Sequence, residues 1–183
     1  MRQTYRARYG DELSKPDAQC YVWKESLAVT NYLRSKQLDF SNLFSQNQHV
    51  RFFLPIRHPI DCAISNAKTG HGKRFDDVES QNHANILEAV VREIAWFRQL
   101  QRQHPDRFFS MFQYDLNADR FAELAKFLGV EPDSRWVADA IHCSELKASY
   151  EHSDNLLETF QSSVNEHFSD DAEYRERLLR FVA

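Results

Sequence analysis

Val50, Phe52, Phe53, Leu54 and Ile56 make a short apolar run that stops at Arg57-His58-Pro59, and no other stretch of the chain restricts its fold as strongly. A run of this length and character predicts a strand over 50–56 buried on both faces. Pro55, within a residue of its C-terminal end, sits where a missing ladder donor matters least. Pro59 suits the first turn of a helix, which then carries Asp61, Ala63, Ile64 and Ser65. A strand that ends in an arginine and passes straight into a helix gathers a guanidinium, free backbone N–H groups and the positive end of a helix dipole around one small volume. That volume suits a phosphate. Ser65 follows Arg57 by eight positions, about two helical turns, so its hydroxyl is placed to add a hydrogen bond from the side. A plainer reading stays open, in which Arg57 closes a strand end against a nearby carboxylate and Ser65 is an ordinary helix residue.

The pattern Arg57-x-Pro59-x-Asp61-x-x-x-Ser65 on a strand, loop and helix resembles the segment by which sulfotransferases grip the 3′-phosphate of 3′-phosphoadenosine 5′-phosphosulfate (PAPS). In that family the arginine and the serine both contact this phosphate, and the positions that match are Arg57 and Ser65. A second segment, Gln113 to Val130 (QYDLNADRFAELAKFLGV), resembles the family's stretch written roughly as YEDL, a spacer and a helix ending in FLG. Gln113 stands where the family often has a tyrosine near the adenine and Tyr114 stands at the glutamate position, so the resemblance assigns adenine contact to neither. Two such segments in the right order, separated by one long helix, are much harder to obtain by chance than either alone.

Upstream, Gln19 to Trp23 reads as a strand and Lys24-Glu25-Ser26 leads into a helix ending near Ser35, with Leu27, Val29, Tyr32 and Leu33 as its apolar positions. Functional groups of parallel sheets collect at the C-terminal strand ends, which puts Lys24 and Glu25 on the same rim as Arg57. In many sulfotransferases a lysine follows the corresponding strand and, in the cytosolic enzymes, a catalytic histidine comes two residues later. Lys24 matches the lysine; Ser26 occupies the histidine's place, and Glu25 is the nearby alternative. The resemblance thus makes Lys24 and Glu25 the catalytic candidates. A strand-end lysine and a glutamate favoured by the helix dipole account for the same two residues without catalysis.

Charge agrees with an anionic ligand on this part of the chain. The net charge is −4, which does not suggest a nucleic-acid partner, but residues 1–75 carry 12 Lys/Arg against 6 Asp/Glu, and residues 76–183 carry 11 against 21. Cys20, Cys62 and Cys143 are widely spaced, with no C-x-x-C, so a disulfide framework is not expected and a reducing compartment fits. His142-Cys143 lacks further ligands at metal spacing, and no metal is expected. No apolar run approaches a membrane span and no secretory signal is recognisable, which makes the cytoplasm the expected location.

The loop from Thr69 to Arg74 is basic and reads as a flexible, solvated turn or a flap over a ligand. Residues 77–103 follow a helical pattern, 107–114 read as a second buried strand, and Gly129 suits the C-cap of the helix after it. Helices are expected at roughly 133–143, 154–168 and 170–182, with Ser153 and Ser169 at N-cap positions.

The expected architecture is therefore three-layer α/β: one domain, 1–183, with a short, mostly parallel sheet of 19–23, 50–56 and 107–114, helices on both faces and a helical C-terminal part. The resemblance implies sulfuryl transfer from PAPS to a hydroxyl or amine of a small-molecule or carbohydrate acceptor, with no metal. It covers approximately residues 19–130. The family's Gly/Ser/Thr-containing loop for the 5′-phosphosulfate has no counterpart before Gln19, and its C-terminal arginine-lysine-glycine motif is also missing. Those departures imply an N-terminally incomplete enzyme or, alternatively, a non-catalytic nucleotide-binding or scaffold relative. A P-loop kinase would use a similar sheet but needs the Gly-rich loop more strictly.

Overall fold

The computed structural model describes residues 27–75, 78, 80–132, 134–143 and 150–183. They form a mixed α/β structure, mostly helical, with a short two-stranded parallel sheet. In chain order these are α1 (Leu27–Ser35), α2 (Phe40–Gln46), β1 (Phe52–Ile56), α3 (Pro59–Lys68), a 3-10 turn (His71–Arg74), α4 (His83–Gln103), β2 (Phe108–Phe112), a second 3-10 turn (Gln113–Asp115), α5 (Ala118–Leu128), α6 (Ser134–Cys143), α7 (Asp154–His167) and α8 (Ala172–Leu179). The strand expected at 19–23 lies outside the described residues, as do Lys24 and Glu25.

β1 and β2 pair in parallel, with Phe52 opposite Phe108 and Ile56 opposite Phe112. A parallel pair needs a crossover, and α3 and α4 supply it. Because side chains alternate along a strand, Phe52, Leu54, Ile56, Phe108, Ser110 and Phe112 share one face. At its lower end the Phe52 and Phe108 rings stack with centroids 4.9 Å apart, and Phe40 and Phe44 of α2 and Phe97 of α4 close over them. At the upper end Ile56 and Phe112 enter the main core, with Ile60 and Ile64 of α3, Val90 and Ile94 of α4, and Phe160 and Val164 of α7. On the opposite face Phe109 and Met111 pack against Phe121 and Leu124 of α5.

β2 is covered on both faces, as its sequence predicts, but β1 is not. Phe53 is 37% exposed and Pro55 is exposed as well. The cause is local: α5 follows directly after β2 and covers the strand it comes from, so β1's share of that face has no helix against it among the described residues.

Capping explains several boundaries. Asp39 accepts the Asn42 N–H at 2.9 Å and starts α2, a helix the apolar pattern did not announce. Asn82 does the same for α4, accepting from Asn85 at 2.8 Å. Ser153 precedes α7 without a side-chain cap bond, and α8 begins after Asp171 rather than Ser169, because the Asp171 carboxylate accepts the Tyr174 N–H. The basic turn His71–Arg74 is not a free flap. Gly72 is buried beside Ile86, and Asn31 of α1 donates from Nδ2 to the Arg74 carbonyl at 3.2 Å. No helix among the described residues is long and apolar enough to cross a membrane.

Candidate functional site

β1 delivers Arg57 at its C-terminal end, and the chain turns at once into α3 with Pro59 in the first helical turn. A proline there gives up an N–H that has no intrahelical partner in any case. The neighbouring strand end meets this turn directly: Gln113, just past β2, accepts the His58 N–H at 3.1 Å through its side-chain Oε1. The two segments that carry the family resemblance are thus hydrogen-bonded to one another. The Gln113 side-chain oxygen joins the strand ends. Tyr114 donates from its hydroxyl to the Arg177 carbonyl at 2.6 Å and lies against Phe181, so it tethers the C-terminal part to β2.

Asp61, buried in the first turn of α3, is the hub of the site. Its Oδ2 faces Arg57 Nη2 at 3.8 Å, a long contact for an ion pair. Its Oδ1 accepts from His152 Nε2 at 2.7 Å and from the Tyr150 N–H at 3.3 Å. Lys68, at the end of α3, places its ammonium 4.2 Å from the centre of the Tyr150 ring. These contacts fasten residues 150–152 along α3 and make them one wall of the site.

His58 completes it. Its ring lies 4.4 Å from that of His152, and its Nε2 stands 2.9 Å from the Phe181 carbonyl. A carbonyl only accepts, so Nε2 carries the proton. Nδ1 then holds a lone pair, and it is buried with no hydrogen-bond partner among the described residues. Burial and the facing His152 hold the His58 imidazole below its ordinary basicity, against the pull of Asp61 and the Phe181 carbonyl. Next along α3, burial pushes the Cys62 thiol up to about 11, which leaves it a thiol and a poor nucleophile at neutral pH.

Of the four residues marked by the sequence, Arg57 and Ser65 are both placed on the β1–α3 unit, and Lys24 and Glu25 lie outside the described residues. The Arg57 side chain is about one-third exposed (36%), and Ser65 is half-buried two turns along α3. Asp61 and Ser65, four apart in α3, share one helical stripe, and Arg57, just ahead of the helix, faces Asp61 across 3.8 Å. Sequence reasoning missed His152 and did not give Asp61 a role. An aspartate in a first helical turn ordinarily reads as a response to the dipole, and the sole local signal at His152 was its place just ahead of the α7 N-terminus. Comparison with family models, with curated proteins and with solved structures returned no match.

Proposed function

We propose that the chain is a sulfotransferase-like protein whose β1–α3 turn holds the 3′-phosphate of PAPS, with sulfuryl transfer to a hydroxyl or amine acceptor as its reaction. The observation that carries this reading is the setting of Arg57. It sits at the C-terminal end of a parallel strand, ahead of a helix N-terminus, partly exposed and held by Asp61 across 3.8 Å. A guanidinium held that loosely exchanges one carboxylate oxygen for a bidentate phosphate at small cost, while a helix N-terminus adds favourable dipoles. The short sheet then forms the middle of a three-layer α/β domain, and Lys24 and Glu25 act at the sulfuryl end, with charge on the leaving bridge oxygen and removal of the acceptor proton as the steps that need help.

The position of Asp61 favours a second reading. A buried carboxylate facing Arg57 gives the arginine an internal partner, as expected of a non-catalytic nucleotide-binding or scaffold relative. Calorimetry with adenosine 3′,5′-bisphosphate and adenosine 5′-monophosphate tests the phosphate assignment. The bisphosphate binds more tightly if Arg57 receives the 3′-phosphate, and equal affinities remove that assignment. Sulfuryl transfer from PAPS to a panel of hydroxyl and amine acceptors then separates enzyme from non-catalytic relative.

A further inference from the structure

We infer that His58, Asp61 and His152 form a binding site for one first-row divalent transition-metal ion of the zinc class. The inference is independent of the sulfuryl-transfer reading. One ligand atom from each residue, two imidazole nitrogens and a carboxylate oxygen, falls within a set whose members all lie within 4.8 Å of one another. Two imidazoles and one carboxylate are a donor set that suits zinc, cobalt or iron(II) and not magnesium or calcium, which take oxygen ligands.

Clustered histidines and carboxylates are common without any ion, and the His152–Asp61 hydrogen bond by itself accounts for those two residues. It does not account for His58. That ring is held by a bond from Nε2–H to the Phe181 carbonyl, the kind of outer contact that fixes the tautomer of a metal-ligating histidine. The bond leaves Nδ1 as a lone pair that is buried and without a partner among the described residues. A buried acceptor of this sort carries a desolvation penalty unless something occupies it. A cation does so directly.

The required adjustment is small. Ligands around tetrahedral zinc sit about 2.0–2.2 Å from the metal, hence roughly 3.3 Å from one another. The His152–Asp61 separation of 2.7 Å opens slightly as the ion takes the place of the shared proton, and the other ligand pairs, all within 4.8 Å, close by at most about 1.5 Å. His152 lies in the segment between α6 and α7, whereas Asp61 is in the first turn of α3 and His58 is the N-cap residue of that helix. Three protein ligands leave a fourth position for water or another small donor.

The experiment uses the full chain stripped of metal with a chelator and titrated with zinc chloride by calorimetry, and with cobalt chloride by visible absorption, in the absence of nucleotide. One equivalent with micromolar or tighter affinity is expected, with cobalt bands typical of four- or five-coordination and no binding of magnesium. His152→Ala and His58→Ala should each weaken zinc by about 100-fold or more, since even outer-shell partners cost 10–100-fold. His49→Ala, an exposed histidine elsewhere, should change nothing. If His58→Ala does not fold by circular dichroism, His152→Ala, on the wall segment, decides alone. Binding weaker than millimolar, or zinc affinity unchanged in His152→Ala, overturns the site. Because no nucleotide is present, neither result bears on the assignment of Arg57.

Discussion

His152 donates from Nε2 to Asp61 Oδ1 at 2.7 Å although 91 positions separate the two residues. This bond, with the Tyr150 N–H on the same oxygen, makes the segment ahead of α7 and the first turn of α3 one piece. Asp61 is thereby held with one oxygen engaged from the α7 side and the other left facing Arg57.

Arg57→Ala and Ser65→Ala should weaken adenosine 3′,5′-bisphosphate unequally. A charge-assisted bond is roughly twice as strong as a neutral one, so losses of about 2–3 kcal/mol and about 1 kcal/mol are expected. Calorimetry on variants with parental circular dichroism measures both. An Arg57→Ala protein that folds normally and binds as tightly as the parent would transfer Arg57 to a structural role.

Glu93 should give the protein a stability that declines as pH rises above the ordinary carboxyl range. Its side chain is fully buried in α4, and Arg34 of α1 donates to Oε1 from Nε at 2.9 Å. Burial raises its carboxyl above the ordinary range, against the pull of Arg34. The folded state therefore holds this proton to higher pH than the unfolded state does. Stability from this group is complete below the ordinary carboxyl pKa and is lost as pH rises through the raised one. Urea denaturation across pH should show a flatter profile for Glu93→Gln. Arg34→Ala, which removes the cation on Oε1, should cost about 3 kcal/mol where Glu93 is ionised and less where it is protonated.

Asp171 should act with the opposite sign. Burial works against its ionisation, but Arg98 Nε at 2.7 Å and the Tyr174 N–H at 3.2 Å prevail, holding its carboxyl below the ordinary range. Its contribution is present above the unfolded pKa and is lost as acid protonates the folded carboxylate. Asp171→Asn keeps an acceptor for the α8 cap and discards the charge, so a loss of about 1–2 kcal/mol is expected at neutral pH. The difference from the parent should shrink in acid denaturation series.

Gly72→Ala and Gly129→Ala separate crowding from backbone strain. A Cβ at Gly72 would stand 2.5 Å from Gln81 Oε1 and 2.6 Å from Ile86 Cδ1, and Ile86 is fully buried. Overpacking of this kind should cost about 1–3 kcal/mol. At Gly129 there is open space, but φ is +76° where the chain leaves α5, so about 1 kcal/mol is expected from the left-handed backbone alone. Thermal melts of the two variants should rank them in that order.

The local features were the legible ones. Arg57 and Pro59 marked the strand-to-helix turn, the apolar periodicity from Ile86 to Phe97 marked α4, and the run around Phe108 to Phe112 marked a strand covered on both faces. Parallel pairing followed from having a long helix between two apolar strands. α2 was missed because its evidence is one cap, Asp39, and one pair of phenylalanines four apart. The exposed face of β1 was missed because a short apolar run carries no mark of which face a neighbour will cover. Asp171 displaced Ser169 as a cap because Arg98, far off in sequence, fixes its carboxylate in place. The same holds for His152, whose part in the site depends on a partner brought to it by the fold.

The stack of Phe52 on Phe108 implies an order of assembly during synthesis. β1 leaves the ribosome before the crossover helices and well before the strand that pairs with it. A nascent chain ending short of Phe108 carries an apolar strand still without β2 as its parallel partner and an Arg57 turn that has no Gln113 to lean on. Non-local pairing of this kind forms late and leaves a sticky intermediate exposed in the meantime. The interval between translating Ile56 and translating Phe112 is therefore when this chain most needs a holdase, and slowing translation there should raise aggregation more than slowing it anywhere after Gly129.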